Sequence, residues 1–312
     1  MGFQLSDKYS QTDGKFVMSG IHAIVKISLL QKELDRRRNL DTAGFVTGYR
    51  GSPLGSVDLE FMRQKSILEK NNIKFHPSIN EDLAVGALTG TQQLTFMGNP
   101  TVDGVFGFWY GKGPGVDRSG DQFKHSSFFG TTKFGCCLAF DGDDHSNKSS
   151  TVPHETGPTF KSWSIPVITP ATVEDEIRLG LLGIEMSRYS GLWSSIKIIS
   201  NLADAYQTVN VDLDNWTPVI PSRKFDVHAR WPDLGVEQEA RIIEQKIPAL
   251  KEFIKHNNFD SYVHAQNPLE TYSYLSVGIV AVGKSYVDTL TAMQKLGITT
   301  DDVGLYKVGI AW

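Results

Sequence analysis

Two features of this sequence could do chemistry. The apolar run 43–47 empties into Gly48-Tyr-Arg-Gly-Ser-Pro-Leu-Gly55, and a carboxylate, Glu81, follows downstream. Glycines at 48, 51 and 55 let backbone N–H groups approach a ligand, and Pro53 stiffens the turn. The carboxyl end of a strand is where open α/β sheets bind their ligands. Neither phosphate-binding signature occurs. There is no G-x-x-x-x-G-K-[ST], and no G-x-G-x-x-G with an acidic residue about 20 further on. Gly51-Ser-Pro-Leu-Gly55 has the outline of a nucleophile elbow, but position 50 is Arg where that motif needs Gly. Glu81 opens a helical pattern behind Asn80, and a carboxylate in a first turn suits the helix dipole. Spacing alone leaves open whether Glu81 caps a helix or serves a ligand.

The elements that position these residues follow from periodicity. Apolar spacing predicts helices over 20–38, 57–70, 117–128 and 173–189, and strands over 43–48, 73–75, 102–109, 136–141, 165–169 and 196–200. Between them, Asn80 begins a helix whose small residues Ala84, Gly86, Ala87 and Gly90 permit close packing. The run Gly111-Lys-Gly-Pro-Gly115 reads as a second glycine-rich strand exit. This alternation predicts an α/β fold with a doubly wound, mostly parallel sheet over 1–203. Residues 204–235 lose the rhythm and hold Pro218, Pro221 and Pro232, which marks a linker. A helix over 236–257 and a βαβ unit (strand 276–282, helix 285–296, strand 303–308) begin a second α/β domain over 236–312. Two parallel strands are too few for a stable sheet, so a truncated domain, and hence a fragment, is expected.

Composition narrows the class. The 312 residues are 40% hydrophobic and 21% charged, as in a soluble globular protein. A net charge of −4 speaks against a nucleic-acid binder, and the one basic triplet, Arg36-Arg37-Arg38, reads as a solvated helix end. The two cysteines, Cys136 and Cys137, are neighbours in a strand and point to opposite faces, so they cannot pair. They are too few for an iron–sulfur cluster. No apolar stretch reaches the roughly 18 residues of a membrane span, and no signal peptide is evident, so a cytoplasmic location is expected. The acidic and histidine-bearing loop 141–158 lacks metal-ligand spacing, and no metal ligand is assigned. Phe106, Phe108, Trp109 and Tyr110 could line an aromatic pocket, although such a run in a strand is more often core.

The pattern Glu81-x-x-Ala84-x-Gly86-Ala87, with Gly-Tyr-x-Gly-Ser-Pro upstream, resembles the pyrimidine-binding domain of the thiamine-diphosphate-dependent 2-oxoacid:ferredoxin oxidoreductases. Within them, the form with Arg50 is similar to the long, single-chain indolepyruvate ferredoxin oxidoreductases. The similarity extends to Gly142-Asp-Asp-His-Ser-Asn-Lys-Ser-Ser-Thr-Val-Pro153 and the final βαβ unit, a transketolase C-terminal-like domain. The resemblance implies that Glu81 is catalytic and binds the cofactor. It would hydrogen-bond N1′ of the aminopyrimidine, favouring the imino form that generates the ylide. Gly51, Ser52 and Pro53 would lie beside the reacting carbon, and Arg50 would bind the substrate carboxylate. The reaction implied joins a 2-oxoacid, an arylpyruvate such as indolepyruvate, with CoA and oxidised ferredoxin to give acyl-CoA, CO₂ and reduced ferredoxin.

The family's Gly-Asp-Gly segment, which with a later Asn holds Mg²⁺ and the diphosphate, is missing here, as are its cluster cysteines. Those parts, including the iron–sulfur cluster, are expected elsewhere in a full protein, a homo-oligomer, with this piece inactive alone. Two other readings stay open: a non-catalytic α/β binding or assembly subunit, and a non-oxidative thiamine-diphosphate decarboxylase.

Overall fold

Strand β4 (Gly104–Lys112) carries large apolar side chains on both faces, so it must be covered from both sides. The computed structural model describes residues 4–263, 277–299 and 303–311. In it β4 is central to a six-stranded sheet with β2 (Thr42–Gly48), β3 (Ile73–Phe75), β5 (Cys136–Asp143), β6 (Val167–Ile168) and β7 (Ser194–Ile199). The order is β3-β2-β4-β5-β7-β6 and every pairing is parallel. The expected doubly wound α/β fold is therefore present.

The two faces hold separate cores. Phe106, Phe108, Leu138, Phe140 and Ile196 pack under the helices Gly20–Arg37 and Val173–Ser190. Trp109, Cys137, Ala139 and Trp193 pack under Glu81–Thr91 and Gly120–Phe129. Each such fully buried ring contributes roughly 1.5–3 kcal/mol. Cys136 and Cys137 are free and buried, one in each core. The aromatic run is core throughout: Phe106, Phe108, Trp109 and Tyr110 are all inaccessible, so they line no pocket.

Several expected boundaries move. β4 starts at Gly104 and continues through Gly111 to Lys112, and the glycines after it begin a short helix, Gly113–Arg118. β5 reaches Asp143, and the 57–70 helix divides at Gln64. The proline-rich stretch 204–235 is not all linker. It contains β8 (Tyr206–Asp212), which pairs antiparallel with β1 (Asp13–Ser19), Phe16 opposite Val209. The partners lie almost 200 residues apart, so local pattern could not reveal the pair.

Among the described residues the sheet of the 236–312 region has three strands rather than two. β9 (Ser261–Val263) runs antiparallel to β11 (Gly304–Val308), which pairs in parallel with β10 (Gly278–Val282). The expected strand start at 276 lies outside the described residues. Beyond β11 the chain returns to the first sheet. Thr169 N–H donates to Gly309 O at 2.8 Å, and Ala311 N–H to Val167 O at 2.8 Å. Among the described residues no helix is long and apolar enough to cross a membrane.

Candidate functional site

The exits of β2, β4 and β5 lie side by side, with Gly48 opposite Tyr110 and Lys112 opposite Gly142. The loop after β2 therefore meets the ends of its neighbours. Pro53, joined to Ser52 by a cis peptide bond, rests with Leu54 on Gly142, where a Cβ would stand 3.1 Å from both. Pro53 and Leu54 are buried, while Arg50 and Ser52 are exposed.

Lys112 occupies the middle of this surface. Its stem crosses Gly51, where a Cβ would be 2.8 Å from Lys112 Cδ. Its ammonium donates to Ser149 O at 3.2 Å, and the Ser149 hydroxyl donates to Ser52 O at 3.3 Å. No carboxylate pairs with Lys112 among the described residues. Sequence reasoning gave Lys112 no role; its place between Gly111 and Gly113 was the available signal. Arg50 is exposed and has no carboxylate partner among the described residues.

Glu81 takes the first position of the Glu81–Thr91 helix. Capping is done by Asn80, whose side chain accepts from Leu83 N–H at 2.9 Å. The neighbouring Asp82 pairs with Arg118 at 3.2 Å. The half-buried Glu81 carboxylate is left with no hydrogen bond or ion pair among the described residues. It lies over Gly115, where a Cβ would come within 2.6 Å of Oε1. The indole N–H of Trp109 donates to Glu81 O at 3.3 Å and ties the helix start to β4.

The segment 144–156 straps the surface. Asp144 accepts from Lys148, Ser149 and Ser150 N–H groups at 2.9, 2.9 and 3.0 Å. Those bonds, Ser149 foremost, hold its carboxyl down at about 2. At the other end, Thr156 donates through its hydroxyl to Asp141 and through its N–H to Asp143 at 3.4 Å. Lys197 binds Asp143 at 3.2 Å and also Glu155. Burial, then the charge of Asp143, pushes Asp141 well above the usual carboxylate range. Near the Gly113 turn, His154 packs where a Cβ would meet Nδ1 at 2.7 Å, and it faces Asp117 at 3.6 Å.

The surface thus offers an unpartnered carboxylate, an unpaired ammonium and a loop backbone. Among its buried polar atoms with no partner among the described residues is Thr47 Oγ1, at the end of β2. Thr47 shares its strand face with Phe45, which packs against the core beneath Glu81.

No protein-family model matches the chain, and no curated protein matches it either. A solved structure does. It is the 2-oxoglutarate:ferredoxin oxidoreductase from Magnetococcus marinus, with 2-oxoglutarate, coenzyme A and succinyl-CoA bound. The TM-score is 0.66 over 96% of this chain, at 12% identity. This chain is similar to it in fold. It spans only 54% of that chain's length.

Proposed function

We propose that this chain forms the aminopyrimidine side of a thiamine-diphosphate site in a 2-oxoacid:ferredoxin oxidoreductase. The observation that carries the reading is the Glu81 carboxylate. Asn80 has taken its capping role, Arg118 its neighbour's charge, and Gly115 makes room for it. A carboxylate so placed at a strand exit is available to share a proton with a ring nitrogen. The orphaned Thr47 hydroxyl adds a second polar group suited to a heteroaromatic ring.

When bound, thiamine diphosphate supplies a carbon nucleophile for the keto group and takes up the electron pair left by CO₂. This chain's residues do the rest of the work on their side. Glu81 would hold the proton at N1′. The Gly51-Ser52-Pro53 backbone would flank the reacting carbon. Lys112, with Arg50 further out, binds the 2-oxoacid carboxylate, and the 144–156 strap limits water. The diphosphate, Mg²⁺ and iron–sulfur cluster are assigned to other parts of the enzyme.

CoA as acyl acceptor and ferredoxin as electron acceptor complete the reaction, which fits a cytoplasmic homo-oligomer. For substrate we favour an arylpyruvate such as indolepyruvate, on the Gly-Tyr-Arg-Gly-Ser-Pro-Leu-Gly form of the loop. The test is spectral reduction of ferredoxin by the full-length protein with CoA and thiamine diphosphate, offering indolepyruvate or 2-oxoglutarate. Glu81→Gln should lose nearly all turnover while keeping the fold. Near-normal turnover in that variant rejects the assignment, and faster turnover of 2-oxoglutarate rejects the arylpyruvate.

A further inference from the structure

A second cavity, of about 480 Å³, opens at the opposite end of the sheet from Glu81. Leu40 and Phe134, on its wall, lie just ahead of β2 and β5, whereas the candidate site lies beyond the strands' ends. Its volume is that of a pocket for one small molecule.

The lining is basic in a chain whose net charge is −4. Two of its cations are already matched. Arg38 binds Glu185 at 2.7 Å, and the buried Arg188 grips Asp35 through two bonds of 2.6 and 2.8 Å. Three others, Lys133, Arg223 and Lys224, line the same cavity and have no carboxylate partner among the described residues. The C-terminal ends of two helices, Gly20–Arg37 and Val173–Ser190, also face this end of the sheet. Their dipoles bring about half a negative charge each, less than the three unpaired cations supply.

The cations are set on rings. Arg223 stacks over Phe225 at 4.7 Å, and Lys133 over Phe134 at 5.0 Å. The Tyr189 hydroxyl donates to Arg223 O at 2.8 Å and fixes the backbone there. A guanidinium stacked on a ring keeps its N–H edge free for bidentate contact with phosphate oxygens. Flat apolar walls beside such groups suit a ligand with a ring as well as an anion.

The geometry points to a binding site for a nucleoside phosphate in this cavity, separate from the candidate active site. The phosphates meet Lys133, Arg223 and Lys224, and the base lies along the aromatic wall. Titration calorimetry of the full protein at about 0.15 M salt, where weak surface attraction is screened, tests it. ADP should bind saturably, and more tightly than inorganic pyrophosphate. The double variant Arg223→Ala/Lys224→Ala, both exposed side chains, should weaken ADP at least about tenfold with unchanged circular dichroism. Glu81→Gln should leave ADP affinity unaltered, since the sites are apart. No saturable ADP binding, or equal affinity in the double variant, overturns the site. Pyrophosphate binding as tightly as ADP overturns the nucleoside. A single-stranded oligonucleotide binding more tightly than ADP would make the patch a polymer surface and overturn the proposal.

Discussion

Gly115 lies where the Glu81 side chain must pass, since a Cβ there would stand 2.5 Å from Glu81 Cγ and 2.6 Å from Oε1. Real Cβ contacts do not come so close, so any side chain at 115 displaces the carboxylate. Gly86, by contrast, has open space: the nearest atom to a Cβ there is Gln122 Oε1 at 3.8 Å. The glycine that matters to Glu81 is thus on the next strand's exit, not on its own helix.

Gly115→Ala should therefore lower 2-oxoacid-dependent ferredoxin reduction at least about tenfold, with a stability cost of about 1–3 kcal/mol from overpacking. Gly86→Ala should retain activity and gain about 0.5–1 kcal/mol of helix stability. Steady-state rates beside denaturant midpoints check both. Equal rates in the two variants would show that the Glu81 position is unimportant.

For the proposed contact with a substrate carboxylate, Lys112 is the more central of two candidates, the other being Arg50. Its ammonium is central and tethered by one carbonyl at 3.2 Å, whereas Arg50 is exposed. Lys112→Ala should raise KM for the 2-oxoacid at least about tenfold, a charge-assisted contact being worth about 1.5–3 kcal/mol. Arg50→Ala should raise it only a few-fold. The reverse ranking would return the role to Arg50.

Much of this arrangement was legible in the sequence, and the illegible part has a physical cause. β2, its glycine loop and the Asn80 cap are local signals, and they stand where periodicity put them. The aromatic strand β4 was ambiguous because a strand buried on both faces shows no alternation. Lys112 gained its meaning from Gly51 and Ser149, contacts made between loops that only the sheet order brings together. The β1–β8 and β9–β11 pairs are likewise nonlocal, and β8 lies within the 204–235 stretch expected to be linker.

Asp35 is the hub of a buried polar group. It takes both bonds of Arg188 and also accepts from Gln31 at 2.9 Å and the Thr42 hydroxyl at 2.7 Å. Asp35→Ala takes both short bonds from the buried Arg188 and leaves it only Glu185, at 3.7 Å, which should cost about 3–5 kcal/mol. Chemical unfolding measures this directly. A loss under about 1 kcal/mol would mean that water reaches Arg188.

Glu176 gives stability a pH dependence of known sign. The side chain is inaccessible, neither carboxyl oxygen has a partner among the described residues, and Oε2 lies 2.9 Å from where a Gly20 Cβ would be. Desolvation raises its carboxyl well above the ordinary 4.5, so the folded protein keeps it protonated. The unfolded chain releases that proton once the pH passes the ordinary value. Between the two values the native state binds more protons, so this residue's contribution falls as pH rises. Each unit of elevation is worth about 1.4 kcal/mol. Glu176→Gln has nearly the same shape and no proton to lose. Its stability should match the parent at about pH 4 and exceed it at about pH 8. The difference between the two proteins cancels every other titrating group. Urea midpoints at both pH values decide the matter: a gap that stays constant, or that favours the parent at the higher pH, means that Glu176 is ionised in the folded state.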